Sequence, residues 1–116
     1  NSLLMAYVKK LKTAGFKVYA FQPDSQITQV YFENENGIAT VYQQGRFSGL
    51  SFASVHYGNG QSGSGYETHS EIMEPTIEHA IGSIRFRQWP NHNAVKKYAS
   101  MKEYLEKQMV LKWREI

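Results

Sequence analysis

The stretch QVYFENENGIATVYQQ, residues 29–44, constrains the fold more than any other part of this chain. Apolar and polar residues alternate on both sides of Asn36-Gly37, the dipeptide that most strongly marks a two-residue hairpin turn. A turn at Asn36-Gly37 sets Glu35 opposite Ile38, Glu33 opposite Thr40, Phe32 opposite Val41 and Tyr31 opposite Tyr42. The next connection, Gln44-Gly45-Arg46-Phe47, reads as a second tight turn and sets Leu50 across from Val41 and Phe52 across from Ala39. Taken separately, the two turns gather the same residues on one face: Val30, Phe32, Ala39, Val41, Leu50 and Phe52. A slip of one residue would scatter them, so their agreement supports the pairing. The other face carries Tyr31, Glu33, Thr40, Tyr42, Phe47, Ser51 and Tyr57 and reads as half solvated.

Helices are expected before and after this sheet along the chain. Leu3, Leu4, Tyr7, Val8 and Leu11 recur at helical spacing behind Ser2 as N-cap, lysines fill the last turn, and Gly15 is the natural stop. FKVYAF, residues 16–21, switches to period two and ends at the turn signal Gln22-Pro23-Asp24. Tyr66–Ile72 alternates as a further strand. Glu74-Pro75-Thr76 opens a short helix with Pro in its first turn and Ile77, Ala80, Ile81 and Ile84 as its apolar stripe. After an irregular connector, Asn93 caps a helical turn carrying Val95 and Tyr98. Ser100 and Glu103 form a capping box, and Met101, Leu105, Met109 and Trp113 repeat every four residues behind it. The expected architecture is α+β over residues 1–116 as one domain: an N-terminal helix, an antiparallel meander of four or five strands, a short helix and a C-terminal helix. The terminal helices are expected on the Phe32/Val41/Phe52 face.

Composition narrows function by exclusion. The 116 residues are 41% hydrophobic, which suits one core, and the absence of cysteine removes disulfides, thiolate metal sites and cysteine nucleophiles. That composition fits a reducing cytoplasm, and the opening NSLLMAYVKK lacks the plan of a signal peptide. No apolar run approaches the roughly 20 residues that cross a bilayer, so no membrane role is expected. Charge is segregated. Residues 1–20 hold four lysines and no acid, residues 21–84 hold Arg46 against seven acids, and residues 85–116 hold eight bases against three acids. Such segments either attract one another within the fold or present a basic surface to a partner.

GNGQSG, residues 58–63, fits the phosphate-cradling pattern G-x-G-x-x-G. A dinucleotide fingerprint needs a helix directly after the loop, and YETHSEI alternates like a strand instead. Gly58, Gly60, Gly63 and Gly65 therefore read as a flexible loop between strands, able to clasp a partner, and no cofactor is expected. If that loop spans residues 58–65, Tyr57 opposes Tyr66 and His56 opposes Glu67. His56, Glu67, His69 and Glu71 then converge as a candidate metal or acid–base site; the plainer reading is a strand with polar residues. A turn at Asn59-Gly60 would instead part His56 from Glu67 and His69. His79 and His92 stand alone. No nucleophile motif, H-E-x-x-H or P-loop is present.

Two features favour binding over catalysis. The aromatics Tyr31, Tyr42, Phe47 and Tyr57 on the wetter face could stack bases or pack on a protein. RFRQW alternates Arg85 and Arg87 with Phe86 and Trp89, residue types enriched at interface hot spots. The expected partner is a protein or a second copy of the chain, with nucleic acid as the alternative through the basic ends, and a metal-assisted enzyme as the third reading.

GIATVYQQGRFSGLSFASVHYGNGQSGSGYETHSEIMEPTIEHA, residues 37–80, resembles a pattern in small uncharacterised proteins of bacterial phages, plasmids and integrated islands. The shared features are the glycine-containing turn, the LSF-like strand, the histidine-bearing strand end, the G-x-G-aromatic step and the Pro-Thr helix start. The resemblance covers less than half the chain. It implies a setting among accessory genes of mobile elements, and no activity.

Overall fold

A computed structural model describes residues 2–22, 26–43, 48–55, 64–84 and 112–116. They form α1 (Ser2–Thr13), β1 (Lys17–Gln22), β2 (Gln29–Asn34), β3 (Gly37–Tyr42), β4 (Leu50–Val55), β5 (Ser64–Ile72), α2 (Ile77–Ser83) and β6 (Lys112–Glu115). All neighbouring strands are antiparallel, in the order β5-β4-β3-β2-β1-β6. The fold is α+β, a five-stranded meander with a sixth strand added beside β1.

The apolar stripe of α1 behaves as its spacing predicts. Leu4, Tyr7, Val8 and Leu11 are buried and Leu3 packs on them from the edge. Gly15 ends the helix with φ +95°, a backbone state that a side chain disfavours. Tyr7 meets Phe52 edge to face at 5.4 Å, and Phe16 meets Phe32 in the same way at 5.4 Å. All six residues expected on one sheet face, Val30 through Phe52, lie in this core.

The pairing within that face is displaced by two residues from expectation. Phe32 sits opposite Ala39 and Val30 opposite Val41, because the turn is Glu35-Asn36 and not Asn36-Gly37. Asn34 sets the turn locally: its side-chain oxygen accepts the Asn36 N–H at 2.8 Å. The positive φ that the dipeptide signal promised falls on Gly37 alone, at 143°. Val41 likewise faces Phe52 and not Leu50. A displacement of two keeps every side chain on its face, so the core survives the error. Residues 44–47, the expected second turn, lie outside the described residues, as do residues 23–25.

Three further corrections concern the second half. Pro75 precedes the N-cap Thr76 and is not in the first turn of α2. Ile81 is 54% exposed, and Ser83 takes the buried place beside Ala80. Trp113 belongs to a strand, opposite Phe21, and not to a helix. A four-residue strand, Lys-Trp-Arg-Glu, carries no periodicity of its own; pairing with β1 decides its state. The remainder of the expected C-terminal helix, and the turn at Asn93, lie outside the described residues.

Candidate interaction site

Two regions decide what the surface can offer: the second sheet face and the junction of α1 with the β5–α2 connector. On the second face, Tyr31 is 4% exposed and Thr40 0%, and Tyr19, Ile38, Ser51 and Ala53 are buried with them. The polar groups there satisfy one another. The Thr40 hydroxyl donates to the Val30 carbonyl at 2.8 Å and accepts from the Gln29 amide at 2.9 Å. Tyr19 donates to Glu33 at 2.6 Å, and Tyr42 donates to Glu67. Burial pushes the Tyr31 hydroxyl up to about 12. Tyr42 rises to about 12 as well, from burial first, then the hydrogen bond and charge of Glu67. Tyr31 therefore offers no open ring to a partner, and Tyr42 is half-buried and held by Glu67. Phe47, Tyr57, Arg85, Arg87 and Trp89 lie outside the described residues.

β5 departs from regular pairing, and this splits the candidate metal cluster. Its partners on β4 are Leu50–Ile72, Phe52–His69, Ala53–Glu67 and Val55–Ser64, with a register shift in each interval. Thr68 is the extra residue between the His69 and Glu67 pairs. Its hydroxyl reaches Ser83 Oγ at 2.7 Å on the α2 side and donates to the Phe52 carbonyl at 3.3 Å. Inserting one residue reverses the parity beyond it. Glu67 consequently turns to Tyr42 on the second face, whereas His69 lies edge to face with Phe52 at 5.9 Å on the helix side. Glu67 opposes Ala53, not His56 as expected, and Gly65 is part of β5 and not of the loop. Glu71 stands exposed at the shift between the His69 and Ile72 pairs with φ 53°, and its N–H donates to Ser51 Oγ at 3.1 Å. The expected convergence of Glu67, His69 and Glu71 does not form; His56, Gly58, Gly60 and Gly63 lie outside the described residues. The segment after the glycines is a strand, so the helix that a dinucleotide loop requires is missing.

His79 does have a place, which the sequence reading missed. Its ring lies 4.9 Å from that of His69, and its Nδ1 accepts the Thr76 N–H at 2.9 Å, the capping role usually taken by Glu or Gln. Accepting there puts the ring proton on Nε2. The Thr76 hydroxyl lies 3.1 Å from the same nitrogen, so His79 and Thr76 close the start of α2 together. Among the described residues no group of three or more His, Cys, Asp or Glu side chains comes together.

Among the described residues, a groove of about 380 Å³ lies between α1 and the connector to α2. Leu3, Ala6, Tyr7 and Lys10 form one wall, which is the flank of α1 at helical spacing. Met73, Glu74, Pro75 and Thr76 form the other. The Tyr7 hydroxyl donates to the Thr76 carbonyl at 2.7 Å and pins the two walls together. Met73 is 60% exposed, the most exposed large apolar side chain among the described residues. Nothing in the sequence singled out this groove, because each of its residues is ordinary and only their juxtaposition is not. No family model, curated protein or solved structure matches this chain. No helix among the described residues is long and apolar enough to cross a membrane.

Proposed function

We propose that this chain is a small interaction protein that binds a protein partner stoichiometrically through the groove between α1 and the β5–α2 connector. The observation that carries this reading is Met73, exposed in a concave apolar site instead of buried in the core. Methionine suits such surfaces because its unbranched side chain adapts to the partner. The other described surfaces offer less. The second sheet face is buried at Tyr19, Tyr31, Thr40 and Ala53. Both sheet edges are blunted, β5 by its register shifts and β6 by its shortness and charge. The resemblance of residues 37–80 supplies the setting: an accessory protein of a mobile element, working in the cytoplasm on host or element machinery. A photo-cross-linking residue at Met73 is expected to trap a protein adduct in lysate, and the same residue at exposed Ile81 is not. Equal trapping at both positions, or none at either, would remove the groove from consideration.

A second reading has its own support. Lys9, Lys10, Lys12 and Lys17 are exposed, and none of them pairs with a carboxylate among the described residues. Among the described residues these lysines therefore carry no ion pair, which suits a polyanion such as nucleic acid. Binding of labelled DNA and RNA that weakens steeply with salt would support it; no binding at low salt would leave the lysines to a protein partner.

A further inference from the structure

We infer that the occupant of the groove is a second copy of this chain, docked about a two-fold axis with α1 of each protomer against the β5–α2 strip of the other. This rests on the reading of the groove as a protein-binding site and adds the partner. A two-fold contact requires a self-complementary patch, in which residue i meets j and j meets i. The two walls of the groove meet that requirement in charge. α1 exposes Lys9, Lys10 and Lys12 and contains no acid, whereas the strip from β5 to α2 exposes Glu71, Glu74 and Glu78 and contains no lysine or arginine. Lys10 and Glu74 line opposite walls of one groove, and neither forms an ion pair among the described residues. Each wall therefore carries a charge that no ion pair among the described residues compensates, and that a second copy would supply. The groove also supplies an apolar contact: exposed Met73 stands beside Leu3, Ala6 and Pro75. A standard interface takes roughly 800 Å² from each partner, a modest share of the 6833 Å² that this chain exposes.

The test uses sedimentation velocity of the intact chain from micromolar to near-millimolar concentration at low salt. The wild type is expected to dimerise with rising concentration. Lys10→Glu and Glu74→Lys are each expected to weaken the dimer about tenfold or more, since each change reverses two symmetry-related contacts. Mixing the two variants is expected to restore association to within a few-fold of wild type, because every contact in the heterodimer is again between opposite charges. Both positions are exposed, so circular dichroism should show an unchanged fold. A wild type that stays monomeric throughout overturns the inference, as does a mixture that fails to recover. If the wild type is monomeric while Met73 still traps a protein adduct, the groove binds a different protein; if Met73 traps nothing, the groove reading falls with it.

Discussion

The β2–β3 pair and the β4–β5 pair are built from similar strands and do opposite work. β2–β3 runs six residue pairs without a shift, buries both faces at Tyr31, Phe32, Ala39 and Thr40, and makes core. β4–β5 shifts register in every interval, sends Glu67 and His69 to opposite faces, and delivers the chain through Glu71 to the groove wall at Met73. Regular alternation fixes which side chains are inside. Broken alternation decides where the few displaced ones point, and at this end of the sheet those are the residues beside the proposed binding site.

The largest test of this contrast is steric. A β-carbon on Gly49 would lie 2.5 Å from the Glu71 carbonyl carbon and 2.7 Å from its oxygen, whereas one on Gly15 would meet nothing within 4 Å. Gly49 is required by a close backbone approach, and Gly15 by its positive φ alone. Gly49→Ala is expected to cost about 3 kcal/mol or more in urea unfolding, since neither strand can yield without losing its pairing. Gly15→Ala is expected to cost about 1–2 kcal/mol from the left-handed backbone alone. Equal losses would mean that the shifted strand is soft and that the contrast between the two pairs is overdrawn.

A smaller effect separates the regular pair by its tyrosines. Tyrosine ordinarily loses its proton near 10, and Tyr31 and Tyr42 hold theirs to about 12. The fold favours the neutral hydroxyl, so this contribution is complete below pH 10 and is lost as pH rises from 10 through 12. For Tyr31, raised by burial alone, the loss by pH 12 is on the order of 2 kcal/mol. Tyr42 is half-exposed and its share is smaller, because solvent screens its tie to Glu67. Unfolding followed from pH 8 to 12 should fall steeply above 10, and Tyr31→Phe should lift that fall more than Tyr42→Phe. The reverse order would place the alkaline weak point at the Tyr42–Glu67 tie, where the regular strands meet the irregular one.

What the sequence made legible follows the same division. Alternation identified all six core residues of the central strands, even with the turn misplaced, because a displacement of two preserves parity. The bulges were invisible, since Thr68 and Glu71 look like any strand residues, and the contact that holds Thr68 out of step, Ser83, is fifteen residues away. β6 was unreadable for a related reason: four residues beside β1 need no pattern of their own. The candidate cluster at Glu67, His69 and Glu71 was a correct inference from strict alternation, applied where alternation fails. The groove could not be inferred, since it exists only once Tyr7 ties α1 to Thr76.

The smallest expected effect bears most closely on why the irregular pair is tolerated. Glu71 holds φ 53° with its side chain exposed. That backbone state costs a residue with a β-carbon about 1–2 kcal/mol, and glycine would avoid the cost while gaining freedom in the unfolded chain worth about 0.5–1 kcal/mol. Glu71→Gly is therefore expected to stabilise the fold by up to about 1 kcal/mol, read as a higher urea midpoint at unchanged slope. The path of the chain should be kept, because the Glu71 N–H still donates to Ser51 and Gly49 still leaves room for the bend. If stability rises, nothing in the fold requires the carboxylate, and its presence beside the acidic wall is a matter of the surface it helps to charge. Association of the variant should then weaken, by a few-fold at most, while its stability increases. A drop in stability would reverse the argument and assign the Glu71 side chain a supporting role within its own chain.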